Sequence, residues 1–94
     1  MKREFAWDDD KNEANILKHG INFADVVSVF DDPFAVFIYD EEHSVWEERF
    51  IIIGKDERFK VISVCHCYRD NDMVIRLISA REATKREKEV YNER

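Results

Sequence analysis

Glycine and proline together supply only three of the 94 residues, which excludes collagen-like, linker-like and Pro/Gly-rich low-complexity chains. Cysteine is almost as scarce. Cys65 and Cys67 lie one residue apart in an apolar run, where a strand points both thiols the same way and a stapling disulfide is disfavoured. Reduced thiols fit a reducing compartment. No run approaches the roughly 18 apolar residues of a membrane span and no secretory apolar region follows the start, so a soluble cytoplasmic protein without membrane contact is expected. Internal repeats and linker-like stretches are missing, and the length suits one small domain over residues 1–94. Absent as well are a P-loop, a dinucleotide-binding Gly-rich turn, G-x-S-x-G and H-E-x-x-H, which removes the common nucleotide, hydrolase and zinc-protease signatures.

Positive charge is in deficit: 15 Lys and Arg face 21 Asp and Glu, for a net charge of −6. The deficit is uneven. Residues 1–47 hold four basic against twelve acidic residues, and residues 48–94 eleven against nine. Because screening at physiological salt acts over about 8 Å, a local basic face can still bind phosphate. Apolar residues reach 45%, with seven Phe, three Tyr and two Trp, enough for a packed core.

The periodicity changes along the chain. Glu4–Trp7 is a short apolar run that can add an N-terminal strand. Asp8 is a good N-cap for a helix over residues 9–19, with Asp9 and Asp10 in its first turn, Lys18 and His19 in its last, and Gly20 at the left-handed C′ position. Asn22 can cap a second helix whose Phe23, Val26, Val27 and Phe30 recur at helical spacing until Asp31-Asp32-Pro33 stops it. Runs rich in β-branched and aromatic residues at 34–39, 49–54, 60–68 and 73–79 predict four strands, and the short links suit an antiparallel meander. Thr84 and Glu87 have capping-box spacing for a last helix to about residue 93, and Ser79 with Glu82 offers an alternative start. The predicted class is α+β: a mostly antiparallel sheet, two N-terminal helices and one C-terminal helix. The stripe of the second helix, with Ala14 and Leu17 of the first, is the expected cover for one sheet face.

Several polar residues interrupt this pattern. Lys11, Asn15 and Lys18 form one stripe on the first helix, either a solvated face or a surface for phosphates. His19 is either a histidine favourably placed at a negative helix end or a catalytic group. A turn centred at residue 71 brings His66 and Arg76 opposite one another on one face. Either that face is open and functional, or Arg76 pairs with a carboxylate such as Glu48 while His66 is a satisfied core histidine. Cys65-His66-Cys67 is a poor metal site, because a strand sends the sulfurs and the imidazole to opposite faces.

In order and spacing, a set of these pieces resembles the BrnT family of type II toxin–antitoxin ribonuclease toxins. The set comprises Phe5-x-Trp7-Asp8 with Lys11, Asn15 and Lys18-His19-Gly20; Phe23 to Phe30 with Asp31-Asp32-Pro33; Glu48-Arg49-Phe50 leading to Gly54; His66 with Arg69; and Ile75 to Arg81 with Ala83-Thr84 and Glu87. The resemblance implies a RelE-like fold and an RNA-cleaving toxin that blocks translation and growth. It also implies neutralisation by a cognate antitoxin, typically a small ribbon-helix-helix DNA-binding protein, so that DNA is met only through that partner. The acidic Asp40–Glu47 segment is a candidate surface for it.

A ribonuclease that uses the 2′-hydroxyl as nucleophile needs a base, cations for the phosphorane charge and an acid for the leaving 5′-oxygen. The expected set is His66 or His19 for proton transfer, Glu48 as an alternative base, Arg76 and Arg81 as clamps, and Lys11, Lys18 and Arg69 on flanking phosphates. No metal or other cofactor is called for in this scheme, which leaves 2′,3′-cyclic phosphate ends. The rival reading is a catalytically silent module whose sheet face docks a protein partner.

Overall fold

The computed structural model describes residues 3–93; Met1, Lys2 and Arg94 of the expected 1–94 domain lie outside the described residues. In chain order the elements are β1 (Glu4–Ala6), α1 (Asp9–His19), a 3-10 helix (Phe23–Asp31), β2 (Val36–Tyr39), β3 (Phe50–Lys55), β4 (Val61–Arg69), β5 (Val74–Glu82) and α2 (Lys85–Glu93). None of these helices is long and apolar enough to cross a membrane.

The helix ends follow from local chemistry. The Asp8 carboxylate accepts the Lys11 amide at 3.1 Å, and Gly20, at φ +71°, donates its own amide to the Ile16 carbonyl. At the other end of the chain Thr84 and Glu87 form the reciprocal capping box: each backbone amide is bound by the other's side chain. Ser79 and Glu82 belong to β5. The second helix departs from expectation by tightening to 3-10 geometry. With three residues per turn, Phe23, Val26 and Val29 stack on one buried ridge, while Val27 and Phe30 are only partly buried at its side. Asn12 accepts the Phe23 amide at 2.8 Å and Asn22 accepts that of Ala24, so both asparagines hold the entrance of this short segment.

The sheet has five strands in the order β1-β5-β4-β3-β2. The four predicted strands run antiparallel, and β1 adds parallel to β5 through Glu4↔Val74 to Ala6↔Arg76, which makes the sheet mixed. On one face Ile52, Ile62, Val64, Ile75 and Leu77 pack under the 3-10 helix. On the other, Ile51, Ile53 and Val61 pack under Ala83 and Tyr91. Asp32 ties the two layers together, since its carboxylate accepts the Tyr91 hydroxyl at 2.6 Å and the Lys55 amide at 2.8 Å. Gly54 passes below: a Cβ there would stand 3.1 Å from both Ala35 and Val29 side-chain carbons.

The register between β4 and β5 overturns one expectation. Asp70, Asn71 and Asp72 all adopt positive φ, and the turn closes as Arg69↔Val74. That is one residue wider than a turn centred on residue 71. Cys67 therefore faces Arg76, and His66 faces Leu77. A slip of one residue exchanges faces, so His66 and Arg76 point to opposite sides of the sheet. A bulge between Cys65 and His66 then leaves Ile78 without a partner across the pair.

Helix α1 also packs differently. Ala14 is exposed and Leu17 is 89% exposed, so neither covers the sheet. Asn15, expected on the polar stripe, is buried instead. Strand β1 pairs β5 only as far as Arg76, and beyond it Asn15 substitutes for a strand neighbour. Its Nδ2 donates to the Ala80 carbonyl at 2.8 Å and to the Ile21 carbonyl at 2.9 Å, and its Oδ1 accepts the Ala80 amide at 3.0 Å. Asn15→Leu is expected to strand these groups and destabilise the fold by about 2 to 4 kcal/mol. Urea unfolding tests this; a loss below about 0.5 kcal/mol would mean that water replaces the amide.

Candidate functional site

Strand β4 is buried on both faces along most of its length and opens only towards its end at Tyr68 and Arg69. His66 is fully buried on the helix face, ringed by Phe30 at 4.9 Å and by Phe37 and Phe50 at 6.2 Å between ring centres. Its Nδ1 lies 3.1 Å from the Val64 carbonyl, which can only accept, so Nδ1 carries the proton. Nε2 then accepts from the Tyr68 hydroxyl at 3.2 Å. Burial drives the His66 pKa down to about 4, against the opposing pull of that carbonyl. His66 is thus the satisfied core histidine of the two readings, neutral and without direct access to solvent.

Tyr68, two residues on, shares its face but reaches the surface. Its ring borders a cleft of about 570 Å³ lined also by Arg3, Glu47, Glu48, Phe50, Arg69 and Asp72. Arg3 lies over the Tyr68 ring, 5.2 Å from its centre. Arg69 donates to Glu47 at 2.5 Å, and Arg49 stands 3.8 Å from the same carboxylate. The Arg69 guanidinium holds Glu47 below the usual carboxylate range. The cleft therefore combines cations, a phenol and carboxylates. Glu48 makes no ion pair within the described residues.

The remaining expected site residues are dispersed. Arg76 lies on the opposite face beside Cys67, half-buried and without an ion pair among the described residues. Arg81 shares that face, opposite Ser63, and is held by both oxygens of Glu87 at 2.6 and 3.1 Å. Burial pushes Glu87 upward, but the hydrogen bonds from Arg81 and Thr84 prevail and leave it lowered. His19 lines a different cavity of about 500 Å³ with Asp25, Asp56, Arg58 and Glu82, which shares no residue with the cleft. Lys11 and Lys18 are exposed on α1 and line neither cavity. Of the eight expected residues, the cleft gathers Glu48 and Arg69.

Arg3 and Tyr68 were not singled out by sequence reasoning. Tyr68 had a signal, the period-two relation to His66. Arg3 had none, since its place depends on β1 joining the far side of β5. Cys65 and Cys67 are free, and burial raises both thiols, Cys65 to about 11, so they are not thiolates near neutrality. Among the described residues no cluster of three His, Cys, Asp or Glu side chains could hold a metal ion.

A mixed sheet flanked by short helices, with two guanidinium groups, a phenol and three carboxylates lining a cleft at one sheet end, defines a small α+β protein with a polar cleft of mixed charge. Residues 7–87 match the family model described as the ribonuclease toxin BrnT of type II toxin–antitoxin systems. The chain belongs to this family. It is similar to the crystal structure of the Brucella abortus ribonuclease toxin BrnT, with 26% identity and a TM-score of 0.71, over 89% of this chain and 100% of that one. No curated protein matches. Membership in a type II family implies a cognate antitoxin as partner.

Proposed function

We propose that this chain is the toxin of a type II pair acting in the cytoplasm as a metal-independent endoribonuclease, with a RelE-like fold and a ribbon-helix-helix type antitoxin. The observation that carries the reading is the convergence of Glu48, Tyr68, Arg3 and Arg69 on one cleft. In this assignment Glu48 takes the proton of the RNA 2′-hydroxyl as its oxygen attacks the adjacent phosphorus. Arg3 and Arg69 stabilise the charge on the phosphorane oxygens, and the Tyr68 phenol turns its single O–H from His66 Nε2 to the departing 5′-oxygen and protonates it. The products are a 2′,3′-cyclic phosphate and a free 5′-hydroxyl. His66 acts one layer back, accepting from the Tyr68 hydroxyl in the resting chain and so orienting it before the proton is given up. Arg76, expected as a clamp, lies beside Cys67 on the face away from Tyr68 and takes no part in this assignment, and Arg81, the other expected clamp, is engaged in bracing α2.

The test is cleavage of single-stranded RNA by the purified chain in EDTA. Undiminished cleavage with cyclic phosphate ends is expected. Activity lost in EDTA and restored only by a divalent ion would overturn the mechanism.

A further inference from the structure

Strand β2 is the outermost strand and pairs only with β3. Its far edge presents backbone amides and carbonyls with no strand neighbour among the described residues. Natural edges are blunted by short length, Lys, Pro or a bulge within the strand; at four residues β2 is short, but Val36–Tyr39 has none of the other three. The strand and its surroundings also carry exposed apolar side chains: Phe37 and Tyr39 on one face, Ile38 on the other, Phe34 just before the strand, Trp46 in the loop that follows it and Phe59 in the β3–β4 turn. Trp46 is 97% and Phe59 79% exposed.

Phe59 adds an independent sign. It sits at φ +65°, a left-handed conformation that bulky residues rarely adopt and that glycine or asparagine would fill without strain. A turn needing only to close would not place an aromatic ring there and leave it in water. The ring borders a groove of about 590 Å³ with Pro33, Phe34 and Tyr91, at the start of β2. Charge identifies the occupant. The groove is lined by Asp31, Asp32, Asp56 and Glu57 against Lys55 alone, and β2 runs on into Asp40, Glu41 and Glu42, so a basic partner is favoured here over a nucleic acid, and a second copy paired edge to edge would set acids against acids.

We propose that the β2 edge is the antitoxin seat: a basic, extended segment of the antitoxin adds beside β2 as a sixth strand, with its apolar side chains against Phe59 and the groove. This rests on the toxin–antitoxin reading above.

The experiment measures antitoxin affinity and RNA cleavage separately, using the intact chain and the protein encoded beside it. The variants are Ile38→Lys, Phe59→Gly and the exposed double change Glu41→Lys/Glu42→Lys. Each is expected to weaken antitoxin binding at least tenfold while the free variant still cleaves RNA. Phe59→Gly should do so with an unchanged or higher melting temperature, an outcome that damage to the fold would not produce. Raising salt should weaken wild-type binding more than that of the double variant. Antitoxin affinities within twofold of wild type, with cleavage intact, would overturn the edge proposal and leave the toxin reading standing. A wild-type chain that neither cleaves RNA nor binds its neighbour's product would remove both. A wild-type dimer that Ile38→Lys dissociates would assign the edge to a second copy, and RNA affinity lost in place of antitoxin affinity would assign it to RNA; either result overturns the proposal.

Discussion

Tyr68→Phe is expected to slow RNA cleavage by about 10² to 10⁴-fold, the range typical of a lost proton-transfer group. The substitution keeps the ring that packs on Phe50 and lies under Arg3, so the cleft retains its shape. What it removes is the hydroxyl that donates to His66 Nε2. Stability should fall by only about 1 to 2 kcal/mol, the cost of leaving that nitrogen unpaired in the core. Single-turnover kinetics should show the loss in kcat with KM little changed, whereas Arg3→Ala should raise KM by removing a cation that also binds the ground state. Cleavage by Tyr68→Phe at the wild-type rate would remove the phenol from the mechanism and leave the 5′-oxygen without an assigned acid.

The second large effect concerns acid stability. His66 in the folded chain is held neutral to about pH 4, while an unfolded histidine takes up its proton near pH 6.5. Between these values the unfolded chain binds more protons, so acid favours unfolding. Stability should be level above about pH 6.5. It should then fall by about 2 kcal/mol between pH 7 and pH 5 and by about 3 kcal/mol in all by pH 4. Glu47 and Glu87, both lowered by their arginine partners, contribute in the same direction but only lower on the pH scale, as their carboxylates become protonated. His66→Leu should therefore flatten the upper part of the profile and spare the lower part. A wild-type profile with no slope between pH 6.5 and pH 5 would contradict a dry, neutral imidazole.

These two expectations meet at one hydrogen bond, and its geometry explains why the site was only partly legible beforehand. Glu48 and Arg69 could be picked out as residue types suited to the chemistry, and both line the cleft. His66 also stands out by residue type, but its role depends on which face Arg76 shares. Three consecutive residues with positive φ widened the β4–β5 turn and reversed that relation. Aspartate and asparagine tolerate this conformation individually, yet nothing in Asp70-Asn71-Asp72 states that all three adopt it. Asn15 shows the same difficulty in another form. Its spacing with Lys11 and Lys18 placed it on a polar stripe, and only the unpaired outer edge of β5 made its amide a buried partner for Ala80.

The sequence by itself determined what depends on neighbours along the chain. The Asp8 cap, the Gly20 stop, the Thr84–Glu87 box, the positions of the four main strands and the α+β class all follow from interactions within a few residues, whose geometry local bonding dictates. Tertiary structure alone decided the parallel placement of β1, the tightening of the 3-10 helix, the faces of His66 and Arg76, and the arrival of Arg3 over Tyr68. Each of these rests on pairing between distant segments, where a shift of one residue costs little locally but changes which side chains meet water and which meet each other.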